Sequence, residues 1–279
     1  MEINFCNSNN KDYQKKLNNL LKDVFFDFKF FYDLDLWNKD YESYSITIDH
    51  EIVSNICIYK THIIFNAQQI KALSIGAVAT REDYRGRGYS KYIMEYIFEK
   101  YPNMPMYLSA NDDVIEFYKK LGFSRVYEKE VFIKESINND LVPQLINYND
   151  PIIWHYLEKR VNFSSTLDCL NAQAINMFHI HFGYLKDSIY LLVSIDTLLI
   201  AKQNKNQLHI TGVFSKKYIR FSDLVESLPF KGVTEITFGF MPPWEDCSYQ
   251  MRDYKCDALF VKNINCDLGD FKFPELAIT

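Results

Sequence analysis

Apolar positions in the first half of the chain switch repeatedly between two periods. Leu17, Leu20, Leu21, Val24 and Phe25 recur at three- and four-residue spacing, which predicts a helix over 11–26. An aromatic stretch without a clear period follows at 26–43. SYSITI (43–48) and EIVSNICIY (51–59) then read as two strands joined by a tight hairpin at Asp49-His50. IKALSIGAVAT (70–80) is a longer run of small and β-branched residues, suited to a central strand buried on both faces. Tyr89, Ile93, Met94, Ile97 and Phe98 form a helical stripe, and a short strand is expected at 106–110. Val114, Phe117, Tyr118 and Leu121 repeat at i, i+3, i+4 and i+7, and Gly122 supplies the helix stop. SRVYEKEVFIK (124–134) reads as one returning strand.

The hydrophilic segment 135–151 reads as a junction between two domains, 1–135 and 150–279. Beyond it, IIWHYLEKR reads as a helix, and MFHIHFGYL, IYLLVSI, TLLIAKQ and LHITGVF as strands. A helix at FSDLVESL and strands at VTEITFGF and DALFVK complete the pattern. The expected class is α/β, with a mixed sheet in each half.

The 279 residues, 48% of them hydrophobic, suffice for a large core. A net charge of -5 argues against a general nucleic-acid binder, which carries a basic excess. The six cysteines show no CxxC pair and no zinc spacing. The segment MEINFCNSNNKDYQKK lacks a signal-peptide core, and no apolar run reaches the roughly 18 residues of a membrane span. The expected location is therefore cytoplasmic, with reduced thiols, no membrane association and no metal.

DYRGRGYS (83–90) sits where strand gives way to helix. A helix N-terminus exposes unpaired N–H groups and partial positive charge, so the turn can seat a diphosphate. Gly86 and Gly88 would let the backbone approach it closely, and Arg85 and Arg87 would add charge. No Lys-Ser/Thr follows as in a Walker A loop, and a Rossmann fingerprint would need glycine where Lys91 stands. An ordinary turn with solvated arginines fits the same residues.

Further on, SANDDVIEFYKKLGF follows the strand at 106–110. The two stretches together resemble the GNAT superfamily of acyl-CoA-dependent N-acyltransferases, over residues 1–134 and most strongly over 75–123. Arg85, Gly88 and Ser90 occupy the marked positions of its pyrophosphate pattern Q/R-x-x-G-x-G/A, with Ser90 a departure from it. The resemblance implies that Arg85, Gly86, Arg87, Gly88, Tyr89 and Ser90 hold the pyrophosphate of acetyl-CoA, the acyl donor. It further implies that Val78, Ala79 and Thr80 pair with the pantetheine arm, that Asn111 contacts it, and that Tyr118 is the catalytic proton donor to the leaving thiolate. Tyr118 also fits as one more member of the 114/117/118/121 stripe. The acceptor is a small-molecule amine or a protein lysine. Asp33, Asp35, Glu42, a water chain and the terminal carboxylate all remain open as the base. The rival to an enzyme is a non-catalytic acyl-CoA sensor or partner-docking module.

In the second half, His179 and His181 would share one strand face, as structural histidines rather than a metal pair. MPPWEDCSYQM (241–251) reads as a surface connection or one wall of a cation pocket, and Ser222 as a helix cap. The alternation suggests a degenerate GNAT-like domain without the phosphate turn; an unrelated accessory domain fits nearly as well.

Overall fold

The computed structural model describes residues 2–6, 10–182, 185–254, 258–264 and 269–278. The first part runs β1 (Asn4–Cys6), α1 (Lys11–Val24), α2 (Lys29–Asp33), β2 (Tyr41–Ile48), β3 (Glu51–Phe65), β4 (Gln68–Thr80), α3 (Tyr89–Lys100), β5 (Met106–Ala110), α4 (Ile115–Lys120), β6 (Ser124–Val126) and β7 (Lys129–Ile133). The second runs α5 (Ile152–Lys159), β8 (Leu167–Cys169), α6 (Gln173–Phe182), β9 (Ile189–Leu192), β10 (Thr197–Asn204), β11 (Gln207–Ser215), α7 (Phe221–Ser227), β12 (Glu235–Phe238), β13 (Gln250–Asp253) and β14 (Ala258–Lys262).

Local chemistry explains many of these bounds. Asn10 caps α1 by accepting from the Tyr13 N–H at 3.1 Å, and the apolar stripe buries Leu17, Leu20 and Leu21. The β2–β3 turn falls at Asp49-His50, both left-handed (φ 49° and 67°), as a two-residue hairpin turn that follows strand twist requires. Gly122, at φ 80°, ends the segment after α4.

Two sequence expectations fail. The segment 124–134 is two strands, because the chain leaves one sheet after Val126 and enters the other at Lys129. MFHIHF lies in helix α6, while Gly183 and Tyr184 fall outside the described residues. Ala174, Ile175, Met177 and Ile180 are all buried there, so a helix packed on several sides mimics strand alternation.

The sheets explain why the chain crosses over. The first has the order β1-β2-β3-β4-β5-β14-β6, with β8 also paired to β3; the second has the order β13-β7-β12-β11-β10-β9. In the first, only β4 and β5 are parallel neighbours; in the second, only β11 and β12 are. At the free edge of β9, Leu145 bridges to Tyr190, the place that β1 holds beside β2. The second sheet therefore repeats the order of the first. In each, the strand two places beyond the first of its parallel pair comes from the other half of the chain: β14 in the first sheet, β7 in the second. The sheets thus cut across the expected 1–135 and 150–279 division.

Three apolar layers fill the lobes. One lies between the first sheet and α3 and α4, around Tyr44, Ile56, Leu108 and Phe260. A second joins α1, α5 and α6 to both sheets, and a third packs α7 and the chain's last residues against the second sheet.

Candidate functional site

β4 and β5 pair only at Leu73–Met106 and Ser74–Tyr107, and the ladder stops there. On its β5 side, the rest of β4 through Val78, Ala79 and Thr80 has no strand neighbour, while β3 still pairs Ala79 with Asn55 and Thr80 with Ser54. A cleft therefore opens between β4 and β5 toward the turn that begins α3. Backbone groups facing such a gap can pair with an extended ligand as with an added strand.

The turn is built by conformation. Gly86 (φ 75°) and Gly88 (φ 80°) are both left-handed, and nothing lies within 4 Å of a Cβ placed on either. Glycine is required there by the backbone rather than by crowding. Gly88 is the N-cap of α3, and no side chain caps the helix. The amides of its first turn are thus left for an outside acceptor. Both arginines brace the turn: Arg85 Nε donates to the Thr80 carbonyl at 3.2 Å, and Arg87 Nη2 to the Asp83 carbonyl at 2.9 Å. The Arg87 guanidinium also lies 4.8 Å from the Tyr84 ring centroid. Ser90 Oγ is 2.8 Å from Thr80 Oγ1, which is 2.8 Å from Ser54 Oγ, so a hydroxyl cluster ties strand to helix beneath the turn. Glu82 and Asp83 are exposed, and Tyr89 is half-buried.

Asn111 is exposed at the end of β5 and starts the turn leading into α4. Tyr118 is only 5% exposed, with its ring against Phe117, Phe123 and Phe260, and its hydroxyl has no hydrogen-bond partner among the described residues. Burial pushes its phenol up to about 12. Val78, Tyr84, Tyr89 and Tyr118 all pack into the same layer as α3 and α4, which places the strand end, the turn and the phenol on one side of the sheet.

The carboxylates considered as bases sit elsewhere. Asp33 is exposed and pairs with Lys29 at 2.5 Å; Asp35 is also exposed. Glu42 is buried among Lys60, Tyr101 and Tyr44. Burial raises its pKa, but the bonds from those three groups outweigh burial and hold it below the usual carboxylate range. Lys100 and Tyr101 place this network at the C-terminal end of α3, about 18 Å of helix from the glycine turn. The terminal carboxylate lies outside the described residues.

Pattern reading missed a polar network under the cleft. Asn55 Nδ2 donates to the Ala77 carbonyl at 3.1 Å, and Ser43 Oγ donates to Asn55 Oδ1 at 2.6 Å. Tyr13 reaches Ser43 and Ser45 at 2.8 and 2.9 Å. Its only signal in the sequence is Ser and Asn interrupting apolar strands, as in IVSNICIY.

The second lobe corrects two expectations. On helix α6, His179 and His181 do not share a face: His179 Nε2 meets the Ile278 carbonyl at 2.7 Å, and His181 Nδ1 the Met177 carbonyl at 2.9 Å. No group of three or more His, Cys, Asp or Glu suited to a metal occurs among the described residues. The 241–251 segment is a connection anchored by buried Met241, Trp244 and Cys247, with Glu245, Asp246 and Ser248 at the surface. It caps α7 in place of Ser222: the Asp246 carboxylate accepts from the Phe221 and Ser222 N–H groups at 2.9 and 3.1 Å. No described helix is long and apolar enough to cross a membrane.

Residues 8–126 match the family model described as an acetyltransferase (GNAT) domain. The first lobe is built on a GNAT acetyltransferase domain. Among solved structures, the chain resembles a conserved Enterococcus faecalis protein described as a probable N-acyltransferase, at 15% identity and TM-score 0.57, over 94% of this chain and 72% of that one. It also resembles GCN5-related N-acetyltransferases from Anabaena variabilis (12% identity, TM-score 0.56, 95% and 73% covered) and Kribbella flavida (10%, 0.54, 93% and 71%). No curated protein matches the sequence. Identities this low speak to fold alone, and their coverage extends the GNAT-like fold over both lobes.

Proposed function

We propose that the GNAT lobe transfers an acetyl or other short acyl group from acyl-CoA to a primary amine, by direct attack in a ternary complex. The supporting observation is one continuous feature: a strand end open along one side leads into a helix whose first amides carry no cap. The amides from Gly86 to Ser90 would bind the diphosphate, and Val78 to Thr80 would pair with the pantetheine, with Asn111 alongside. That alignment holds the thioester in reach of a nitrogen nucleophile and removes the entropy cost of encounter from the chemical step.

The neutral amine adds to the thioester carbon, and the carbonyl electron pair moves to oxygen. Collapse of this adduct forms the amide and breaks the carbon–sulfur bond. The nitrogen loses a proton and the thiolate gains one. A phenol near 12 is a poor outright donor to a thiol of ordinary pKa near 8.5, uphill by about 5 kcal/mol. Tyr118 therefore acts by donating a hydrogen bond to the leaving sulfur, and the proton balance is met from the ammonium of the adduct. The amine is a small molecule or a protein lysine.

A second reading, acyl-CoA binding without turnover, is favoured by the burial of Tyr118 among Phe117, Phe123 and Phe260. Free-thiol release from acetyl-CoA against a panel of amines separates the two. Under the enzymatic reading, Tyr118→Phe loses turnover and keeps CoA affinity. Saturable CoA binding with no amine-dependent thiol release from the unaltered protein would establish the sensor instead.

A further inference from the structure

The β3–β4 hairpin overhangs the start of β5. β4 begins at Gln68, but its first partner in β5 is Met106, opposite Leu73. On the far side of β5, β14 ends at Lys262, opposite the same Met106, and Asn263 follows. Side chains alternate along β5: Met106, Leu108 and Ala110 enter the layer beneath α3 and α4, so Tyr107 faces the other way. On the Tyr107 face, the overhang leaves a cavity of about 360 Å³ between the hairpin, β14 and the C-terminal segment. Along the strands, the Leu73–Met106 and Ser74–Tyr107 pairs separate it from the cleft.

The walls of this cavity are of one kind. Phe65, Tyr107, Phe271 and Phe273 supply aromatic surface, and Ile63, Ile70 and Val261 aliphatic surface. The Tyr107 hydroxyl is spent on the Ala277 carbonyl at 3.4 Å, so this residue offers its ring. None of the described residues lining the cavity is charged. Three carboxamides supply the polar groups: Asn66 and Gln68 at the exposed hairpin end, and Asn263. Asn263 Nδ2 donates to the Met104 carbonyl at 3.0 Å, which leaves its oxygen as an acceptor. The carboxamides of Asn66 and Gln68 have no hydrogen-bond partner among the described residues.

Close-packed interiors hold few voids larger than a water molecule, whereas a few polar groups at an apolar pocket of several hundred Å³ are the usual form of a small-molecule site. The volume sets the size of the occupant. An apolar cavity of roughly 150 Å³ accepts one benzene ring, so this one suits about two fused rings. Aromatic walls favour rings over a chain, through offset and edge-on contacts. A charge would go unpaired among these walls, which selects a neutral ligand. We infer that the cavity is a binding site, separate from the cleft, for a neutral aromatic molecule of about two fused rings carrying an uncharged hydrogen-bonding group. The carboxamides of Asn66, Gln68 and Asn263 receive that group, and the acyltransferase reading is not required.

Equilibrium dialysis of the intact chain against 2-naphthamide, two fused rings bearing one carboxamide, tests the assignment. One molecule should bind per chain, with Kd between about 10 µM and 1 mM for a ligand of this size. 2-Naphthoate, the same rings with a carboxylate, should bind at least about 10-fold more weakly. Saturating CoA should displace neither. Ile70→Trp fills the cavity and should weaken 2-naphthamide at least about 10-fold with CoA affinity kept. Gln68→Lys, at an exposed position, sets a cation at the mouth; it should tighten 2-naphthoate about 10-fold and leave 2-naphthamide within about 3-fold. Should Ile70→Trp not fold, the Gln68→Lys arm decides alone. No saturable binding, equal affinity for the two probes, displacement by CoA, or a folded Ile70→Trp or Gln68→Lys chain with unaltered affinities overturns the inference. The acyltransferase reading survives each of these outcomes, and falls instead on absent CoA binding and absent thiol release.

Discussion

The two lobes share a strand order yet treat the same helix start in opposite ways. In the first, β4 reaches α3 through two left-handed glycines, and no side chain caps the helix. In the second, β11 reaches α7 through Lys216, Lys217, Tyr218, Ile219 and Arg220, without a glycine, and the Asp246 carboxylate already takes the first two amides. The second cleft is occupied too. Beyond the last β11–β12 pair at Ile210–Phe238, the C-terminal segment enters: the Glu275 N–H donates to the Gly239 carbonyl at 2.8 Å, and Asn176 Nδ2 to the Leu276 carbonyl at 2.6 Å. A helix start left open to an anion is thus not a property of this fold. It depends on donors that the chain itself leaves unspent.

The most drastic way to break the comparison is to cut the lobes apart. Residues 1–135 alone lack β14, which lies between β5 and β6, and should give no cooperative unfolding transition; a stable, CoA-binding fragment would mean that the lobes are independent. Gly88→Val should weaken CoA binding about 10- to 100-fold, from backbone strain alone. Calorimetry on the intact chain should find one CoA per molecule; two would show that the second cleft is open. Tyr118→Phe should lower kcat about 100-fold with CoA affinity kept. Because burial pushes that phenol up to about 12, no alkaline loss of rate below about pH 11 should trace to its ionisation.

The smallest effect concerns the occupied cleft. Burial raises the Glu275 carboxyl, but His209 at 3.0 Å and Lys272 at 3.3 Å outweigh it and hold the group at about 2. A carboxyl depressed in the folded state contributes stability above its unfolded value, here 4.5, and loses it as pH falls toward about 2. Glu275→Gln should therefore cost about 1–2 kcal/mol at pH 7 and flatten the fall in Tm between pH 5 and 3. CoA affinity should not change.

What could be read from the sequence was local. The helix at 89–100, the Asp49-His50 turn and the glycine positions at 86 and 88 each follow from a few neighbouring residues. The break at Tyr127–Glu128 does not: nothing in SRVYEKEVFIK shows that its two ends join different sheets. MFHIHF failed because six residues cannot separate a buried helix from a strand when most positions are covered. The Asn55 network was invisible because its partners come from α1, β2, β3 and β4, brought together only by the sheet and the helix over it. Of the site, the turn and the strand leading to it were legible; the polar network beneath them was not.

The traded strands also limit how the molecule can breathe. With β7 hydrogen-bonded between β12 and β13, and β14 between β5 and β6, swinging one lobe away from the other would tear strands out of the middle of both sheets. Entry of the acceptor must then rely on loops and side chains at the cleft mouth, and a protease nick anywhere in 135–150 should leave the two pieces clasped.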